Sequence, residues 1–404
     1  MAEIIPFRAV RPSADKVALV TTRPYDDYSA AELASWLDFN PFSFLHIINP
    51  AFINQQKIDP VQRYQIVAKK YADFLNKNIL IKEEKSALYL YEIQTPKNAF
   101  IGILAGTSIE DYQNNIIKKH ENTLAYRVDN LKEYFKQAKF NTEPVLIMHP
   151  QNDELQQFIE QKKETSPIYD FSTTNRERHI VWMIDEISEI KKLQEIFGNF
   201  DNLYIADGHH RSASSYELLK EKGTQASEAM NYFMSYLICE SKIKVNEYNR
   251  LIHDLNGYST QEFIKIISEK YTVEKVHEYW KPLSKFTFGM YLEGQFYSLS
   301  LKEKPSSTDT LANLDAQILY ETILQPILNI GDLRTDSRIS YIPGNHNLTE
   351  WVQKIDLGEY KVGFLLYPAT VEEIKSLADN QLTMPPKSTY IEPKFRNGLI
   401  IYEF

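Results

Sequence analysis

Apolar residues recur at two spacings along this chain, and the alternation between the two predicts most of its elements. From Val61 to Asn78, "VQRYQIVAKKYADFLNKN" places them three and four apart, the period of a helix with one buried face. "SALYLYEIQ" and "AFIGILAG", parted by "TPKN", predict a hairpin. Ser108 and Asp111 in "SIEDYQNNIIKK" have the spacing of a capping box, so a helix is expected to start there. "RVDNLKEYFKQAKF" puts Val128, Leu131, Phe135 and Ala138 on one face of another helix, and "PVLIMHP" reads as a buried strand. Downstream, "RHIVWMI" predicts a strand, "EISEIKKLQEIFG" a helix closed by Gly198, "NLYIA" a strand, and "SASSYELLKEKG" a helix ending at Gly223.

After Cys239 the texture changes. "FTFGMYLEGQFYSLSLKE" predicts a hairpin around Glu293 and Gly294, and "LDAQILYETILQPIL" a single helix. "KVGFLLYPATVEEIKSLADN" predicts a strand and then a helix capped by Thr370, and "GLIIYEF" a last strand. The proline-containing opening, "PFRAVRPSADKVALVTTRPYDDYS", reads as irregular chain with one short strand. The pattern implies an α+β protein, mixed α/β in places, with one domain over residues 1–242 and a second over 243–404.

Composition narrows this little. With 404 residues, 43% of them hydrophobic, the chain can bury more than one core. One cysteine, Cys239, excludes an internal disulfide framework and is expected to fill a buried apolar position. No run approaches the length of a membrane span, so a cytoplasmic protein is expected. A net charge of −9 with both signs interspersed offers no broad basic surface for nucleic acid, which is therefore not the expected partner.

The densest chemistry lies in "IADGHHRSASS", read as the tight connection between a strand and a helix. A helix N-terminus carries backbone N–H donors and a partial positive charge, and Gly208 lets a ligand approach the chain closely. Arg211 can grip phosphate oxygens in pairs, while His209 and His210 can donate ring N–H groups or move a proton. Asp207 is costly among phosphates unless it holds magnesium or orients a nucleophile. Zinc would need further ligands from His120, His149 or His346, which no spacing links to the turn, and a structural turn with incidental histidines needs none. Charge and position favour phosphate. Two other segments stand out: Glu121, either a general base or a solvated carboxylate, and Lys387, Ser388 and Thr389, either an anion loop or an ordinary proline-rich turn.

These segments also carry a resemblance. "PFRAVRP", "RPYDDYS", "NPFSFLHI", "HENT", "ADGHHR", "DSRISYIPG" and "MPPKSTYIEPKFRNGLI", in this order, resemble the prokaryotic family called domain of unknown function 1015 over nearly the whole chain. The DGHHR turn is similar to the nucleotide site of the ParB/sulfiredoxin superfamily. That likeness implies a ParB/sulfiredoxin-like nucleotide-binding core and an additional C-terminal α+β domain contributing to the substrate site. Within the superfamily, the order of His120-Glu121, "IADGHHR", "ATVEEI" and Pro386 to Thr389 resembles that of free serine kinase. The resemblance implies a nucleotide-dependent phosphotransferase making O-phosphoserine from free L-serine, with ADP or ATP as donor and Mg2+ as partner. Glu121 would be the base, with Asp207 and His209 also catalytic and Asp207 holding the metal. Gly208, His209, His210 and Arg211 would bind the nucleotide, and Lys387, Ser388 and Thr389 the substrate. A conformational switch of the partition-protein kind is the other function the superfamily implies. "PKST" stands where the kinase has "PKTT", and this chain adds an N-terminal region and a long insertion before the turn.

Overall fold

The computed structural model describes residues 2–49, 59–277, 280–305 and 309–404. They form an α+β protein whose chain divides into two compact units. Unit 1 takes Met1–Lys119, Thr123–Ile243 and Pro393–Phe404; unit 2 takes His120–Asn122 and Lys244–Glu392.

Unit 1 is built on a mixed sheet of nine strands. These are β1 (Ile4–Ile5), β2 (Leu88–Gln94), β3 (Ala99–Ser108), β4 (Ile117–Lys118), β5 (Val145–His149), β6 (Tyr169–Ser172), β7 (Arg178–Ile184), β8 (Leu203–Asp207) and β9 (Tyr232–Cys239). Their order is β4-β8-β5-β9-β3-β2-β7-β6, with β1 pairing β3. The expected hairpin is β2–β3, in register from Tyr89 opposite Leu104 to Gln94 opposite Ala99. All five residues of β5, which runs between β8 and β9, are buried, as in a strand covered on both faces. Helices α1 (Ala125–Ala138), α2 (Ile187–Gly198) and α3 (His209–Lys222) belong to this unit. Leu193, Ile196 and Phe197 of α2 join Leu90, Ile103, Ile147, Ile205 and Leu237 in its main core. On α1, Val128, Phe135 and Ala138 are buried as the spacing predicts, while Leu131 is only half-buried.

Unit 2 carries a seven-stranded sheet. Its strands are β10 (Lys244–Ile252), β11 (Tyr271–Val276), β12 (Thr287–Leu292), β13 (Gln295–Leu301), β14 (Ile339–Pro343), β15 (Val362–Leu365) and β16 (Thr389–Glu392). The order is β11-β13-β12-β15-β10-β14, with β16 pairing the first part of β10. The β12–β13 hairpin turns at Glu293 and Gly294, both with positive φ, at 47° and 78°, as a two-residue turn between twisted strands requires. Thr370 caps the helix α4 (Val371–Asp379) reciprocally with Glu373. Phe263, Met290, Leu299, Ile323, Leu328 and Phe364 lie in the core of this unit.

Four local expectations are corrected. A helix does start at Ser108, whose hydroxyl accepts from the Asp111 amide (3.3 Å), but it covers only Ile109–Gln113, and the reciprocal half of the capping box is missing because the Asp111 carboxylate accepts from the Glu3 amide (2.7 Å). The run Leu314–Leu328 is not one α-helix: α-helical hydrogen bonding over Asp315–Leu319 gives way to a π turn over Tyr320–Leu324, where the Gln325 amide donates to Tyr320. The closing strand is short, Tyr402–Glu403, and pairs Phe140–Asn141. Cys239 ends β9 half-exposed, its sulfur 3.2 Å from the Ser241 hydroxyl, rather than filling an apolar position.

Candidate functional site

The strand β8 is apolar until its register against β5 shifts between Ile205 and Asp207. An irregularity of this kind re-aims the side chain that follows it. That side chain is Asp207, which is 45% exposed. Its Oδ1 accepts from the Gly208 amide (2.8 Å) and its Oδ2 from the Lys394 ammonium (2.6 Å). Gly208 has φ of 97°, and a Cβ there would stand 3.2 Å from both Arg211 Nη1 and the Val145 backbone. Only glycine therefore makes this turn without strain.

Gly208 alone is the connection. The first turn of α3 is His209, His210 and Arg211, so these residues sit on the helix rather than in a loop before it. No side chain caps α3, since its N-cap position is the glycine. The amides of Arg211 and Ser212 donate to the Gly208 carbonyl (2.9 and 3.1 Å).

Each cationic or basic side chain of this turn has its own setting. Arg211 pairs with the Glu143 carboxylate and directs Nη1 towards the Pro144 carbonyl (3.5 Å). Burial lowers its guanidinium to about 10, which leaves it charged at neutral pH. Nε2 of the half-buried His210 accepts from the Leu124 amide (3.1 Å), the residue that opens α1, and this fixes the proton of the neutral ring on Nδ1. His209 is buried. Beneath them, Ser212 and Ser214 are wholly buried and return their hydroxyls to the carbonyls of His209 (3.1 Å) and His210 (2.7 Å). Two ion pairs thus belong to the start of α3: Asp207 with Lys394, and Arg211 with Glu143.

For magnesium, the turn offers one carboxylate. Among the described residues no group of three or more His, Cys, Asp or Glu could hold a metal ion. Magnesium commonly rests on one or two carboxylates and completes its shell with water and substrate phosphates. Asp207 fits that role only for an ion arriving with its phosphates. His149, one of the histidines a zinc site would need, is buried, bonded through Nδ1 to the Pro150 carbonyl (2.7 Å) and stacked on Phe200. Desolvation lowers it to about 4.

Unit 2 holds the other candidates. Its short segment His120–Asn122 is tied to the C-terminal part of the chain: the His120 carbonyl accepts from the Met384 amide (3.0 Å), and Asn122 donates to the Thr383 hydroxyl (3.1 Å). The fold thereby brings Glu121 and Lys387 to Thr389 into one unit, although long stretches of chain separate them. Glu121 is half-buried. Lys387 is exposed, left-handed (φ 55°), and holds its ammonium 5.1 Å from the centre of the Tyr248 ring. Ser388 is buried and donates to the Pro385 carbonyl (2.7 Å), and Thr389 begins β16 opposite Glu247.

The sequence reading missed Lys394 and Glu143. A signal existed for the first, since "EPKFRNG" repeats the Pro-Lys pair of "PPKST". None existed for the second, a carboxylate in the short connection before β5. No helix among the described residues is long and apolar enough to cross a membrane.

The chain is similar to a free serine kinase variant in complex with AMP, at 12% identity and a TM-score of 0.39, over 74% of this chain and 91% of that one. It is similar to SbnI with a C-terminal truncation from Staphylococcus aureus, at 13% identity and a TM-score of 0.38, over 73% and 85%. It is also similar to a conserved hypothetical protein from Pyrococcus furiosus, at 13% identity and a TM-score of 0.35, over 74% and 95%. No curated protein matches the sequence. The family model described as "Protein of unknown function (DUF1015)" matches residues 4–317, and the chain belongs to that family.

Proposed function

We propose that the protein is a nucleotide-dependent phosphotransferase whose acceptor is a small hydroxyl compound, free L-serine first among them. The observation that carries the reading is the start of α3, an uncapped helix N-terminus behind a glycine turn with Arg211 in its first turn. Backbone donors, a helix dipole and a guanidinium are what donor phosphates need. The paired carboxylates Glu143 and Asp207 hold the cations Arg211 and Lys394 in place until phosphate oxygens compete for them.

Phosphoryl transfer asks mainly for positioning and charge neutralisation. In this reading Gly208 to Arg211 bind ADP or ATP, His209 and His210 line the donor side, and Asp207 meets the magnesium ion that accompanies the phosphates. Magnesium bound there supplies charge neutralisation across the phosphate oxygens. On unit 2, Glu121 takes the proton of the acceptor hydroxyl, and Lys387 to Thr389 receive the acceptor. His210 orients rather than shuttles, because its Nε2 is committed to the Leu124 amide.

The test is direct. Purified protein is incubated with magnesium, ADP, ATP or CTP, and a pool of amino and hydroxy acids, and phosphorylated products are identified by mass spectrometry. O-phosphoserine is expected. Nucleotide hydrolysis that serine neither stimulates nor consumes would instead favour a nucleotide-driven conformational switch.

A further inference from the structure

Unit 2 encloses a small cavity lined by Lys285, Asp315, Leu366, Tyr367, Glu373 and Ser388, among others. The space open to the centre of a water-sized group is about 10 Å3, room for one such group. Asp315 is 5% exposed, and only half of its carboxyl is satisfied. Oδ1 accepts from the Phe286 amide (3.0 Å), whereas Oδ2 is buried with no hydrogen-bond partner among the described residues. Buried carboxylate oxygens are rarely left so, and each such case calls for an explanation.

Lys285 does not supply one. Its ammonium is bonded to Glu373 Oε1, and Glu373 Oε2 is itself held by the Thr370 amide (2.9 Å) at the cap of α4. With Asp315 ionised, the three groups sum to one negative charge, so the cavity is short of one positive charge. Ser388 spends its proton on Pro385 and keeps oxygen lone pairs for a donor. Leu314, Ala316 and Leu366 make the rest of the lining apolar. Burial raises Asp315 to about 7, a burden that a bound cation would lift.

We propose that this cavity receives a primary ammonium group, with Asp315 Oδ2 and the Ser388 hydroxyl as its acceptors. An ammonium matches a water in size, carries the missing charge and has three donors. The function proposed above enters in one respect only, by identifying the carrier as the acceptor substrate and so making the acceptor an amino acid rather than a hydroxy acid.

Calorimetry on the full-length protein tests this with four probes: L-serine, L-glycerate (which replaces the amine by a hydroxyl), ammonium chloride and potassium chloride. Wild type should bind L-serine roughly ten- to hundred-fold more tightly than L-glycerate, as expected for a charge-assisted contact. Asp315→Asn keeps an acceptor for the Phe286 amide and should bring L-serine down to the glycerate level, in a protein whose thermal melt shows it folded. Ammonium should compete with L-serine, and potassium should not. Equal binding of L-serine and L-glycerate overturns the proposal, as does an Asp315→Asn affinity within two-fold of wild type. Potassium competing as well as ammonium would make this a metal-ion site, and no Asp315-dependent binding of either L-serine or ammonium would make it a water site; both refute it. Phosphotransfer fails independently: amine-selective, Asp315-dependent binding without any phosphorylated product would remove the proposed function and leave the ammonium pocket standing.

Discussion

Arg211 meets a carboxylate before it meets any ligand, and that pairing gives the phosphate reading a signature. If donor phosphates compete with Glu143 for the guanidinium, the two partners act in opposite directions. Arg211→Ala should weaken nucleotide binding by about 1.5–3 kcal/mol, the usual worth of a charge-assisted hydrogen bond, while Glu143→Gln should tighten it. A purely structural ion pair predicts lower melting temperatures for both variants and no change in calorimetric affinity. Glu121 separates chemistry from binding: Glu121→Gln keeps shape and hydrogen-bonding reach, so nucleotide affinity should hold while turnover falls about 10²–10⁴-fold. The residue types of this site were legible because helix starts, glycine turns and arginines have local signatures. Their counter-ions were not. Glu143 and Lys394 reach the turn through the fold: Lys394 follows a proline as Lys387 does, but that pair does not say which carboxylate it meets, and nothing adjacent to Glu143 marks it as a partner.

Among the elements, the junction of β8 and α3 shows where pattern reading works and where it stops. "NLYIA" and "SASSYELLKEKG" gave the strand and the helix, but the helix starts three residues before the serine, because one glycine with positive φ completes the reversal. Gly208→Ala should therefore cost roughly 1–2 kcal/mol from backbone alone, before the crowding at Arg211 and Val145 is added. Chemical denaturation reads this loss. The link from α3 to α1 is equally specific: His210→Ala removes the acceptor of the Leu124 amide, which should destabilise the protein by about 1 kcal/mol and speed hydrogen exchange at Leu124. The π turn of Tyr320–Leu324 was illegible for a different reason. Its apolar spacing is that of any buried helix, and the departure shows in hydrogen bonding, with the Thr322 hydroxyl taking up the Ile318 carbonyl (2.6 Å).

For the whole molecule, the buried carboxyl of Asp315 makes stability depend on pH. Its ordinary value is 3.8 and its folded value about 7, raised by desolvation, with Lys285 and Glu373 facing it. Between these limits the unfolded chain has lost a proton that the folded protein keeps, so this group's contribution falls as pH rises through that window and is level above it. The full shift corresponds to at most about 4 kcal/mol. His149, buried neutral and lowered to about 4, acts in the opposite sense, removing stability as pH falls below about 6.5. Comparing wild type with Asp315→Asn isolates the first effect: the variant should be the more stable at pH 8, and the gap should close towards pH 4. Hydrophobic periodicity is local, so it yields strands and helices without saying which unit each segment joins. The path of the chain is a case in point. Pro393–Phe404 returns to unit 1 after Lys244–Glu392 has built unit 2, and it brings Lys394 to Asp207 and Ile401 to Val10. Since synthesis runs from the N-terminus, a chain emerging from the ribosome has made all of unit 2's residues before the lysine that pairs with Asp207 exists. Unit 1 therefore cannot be completed until all of unit 2 has been synthesised, and the Asp207–Lys394 pair at the start of α3 is among the last of its contacts to form.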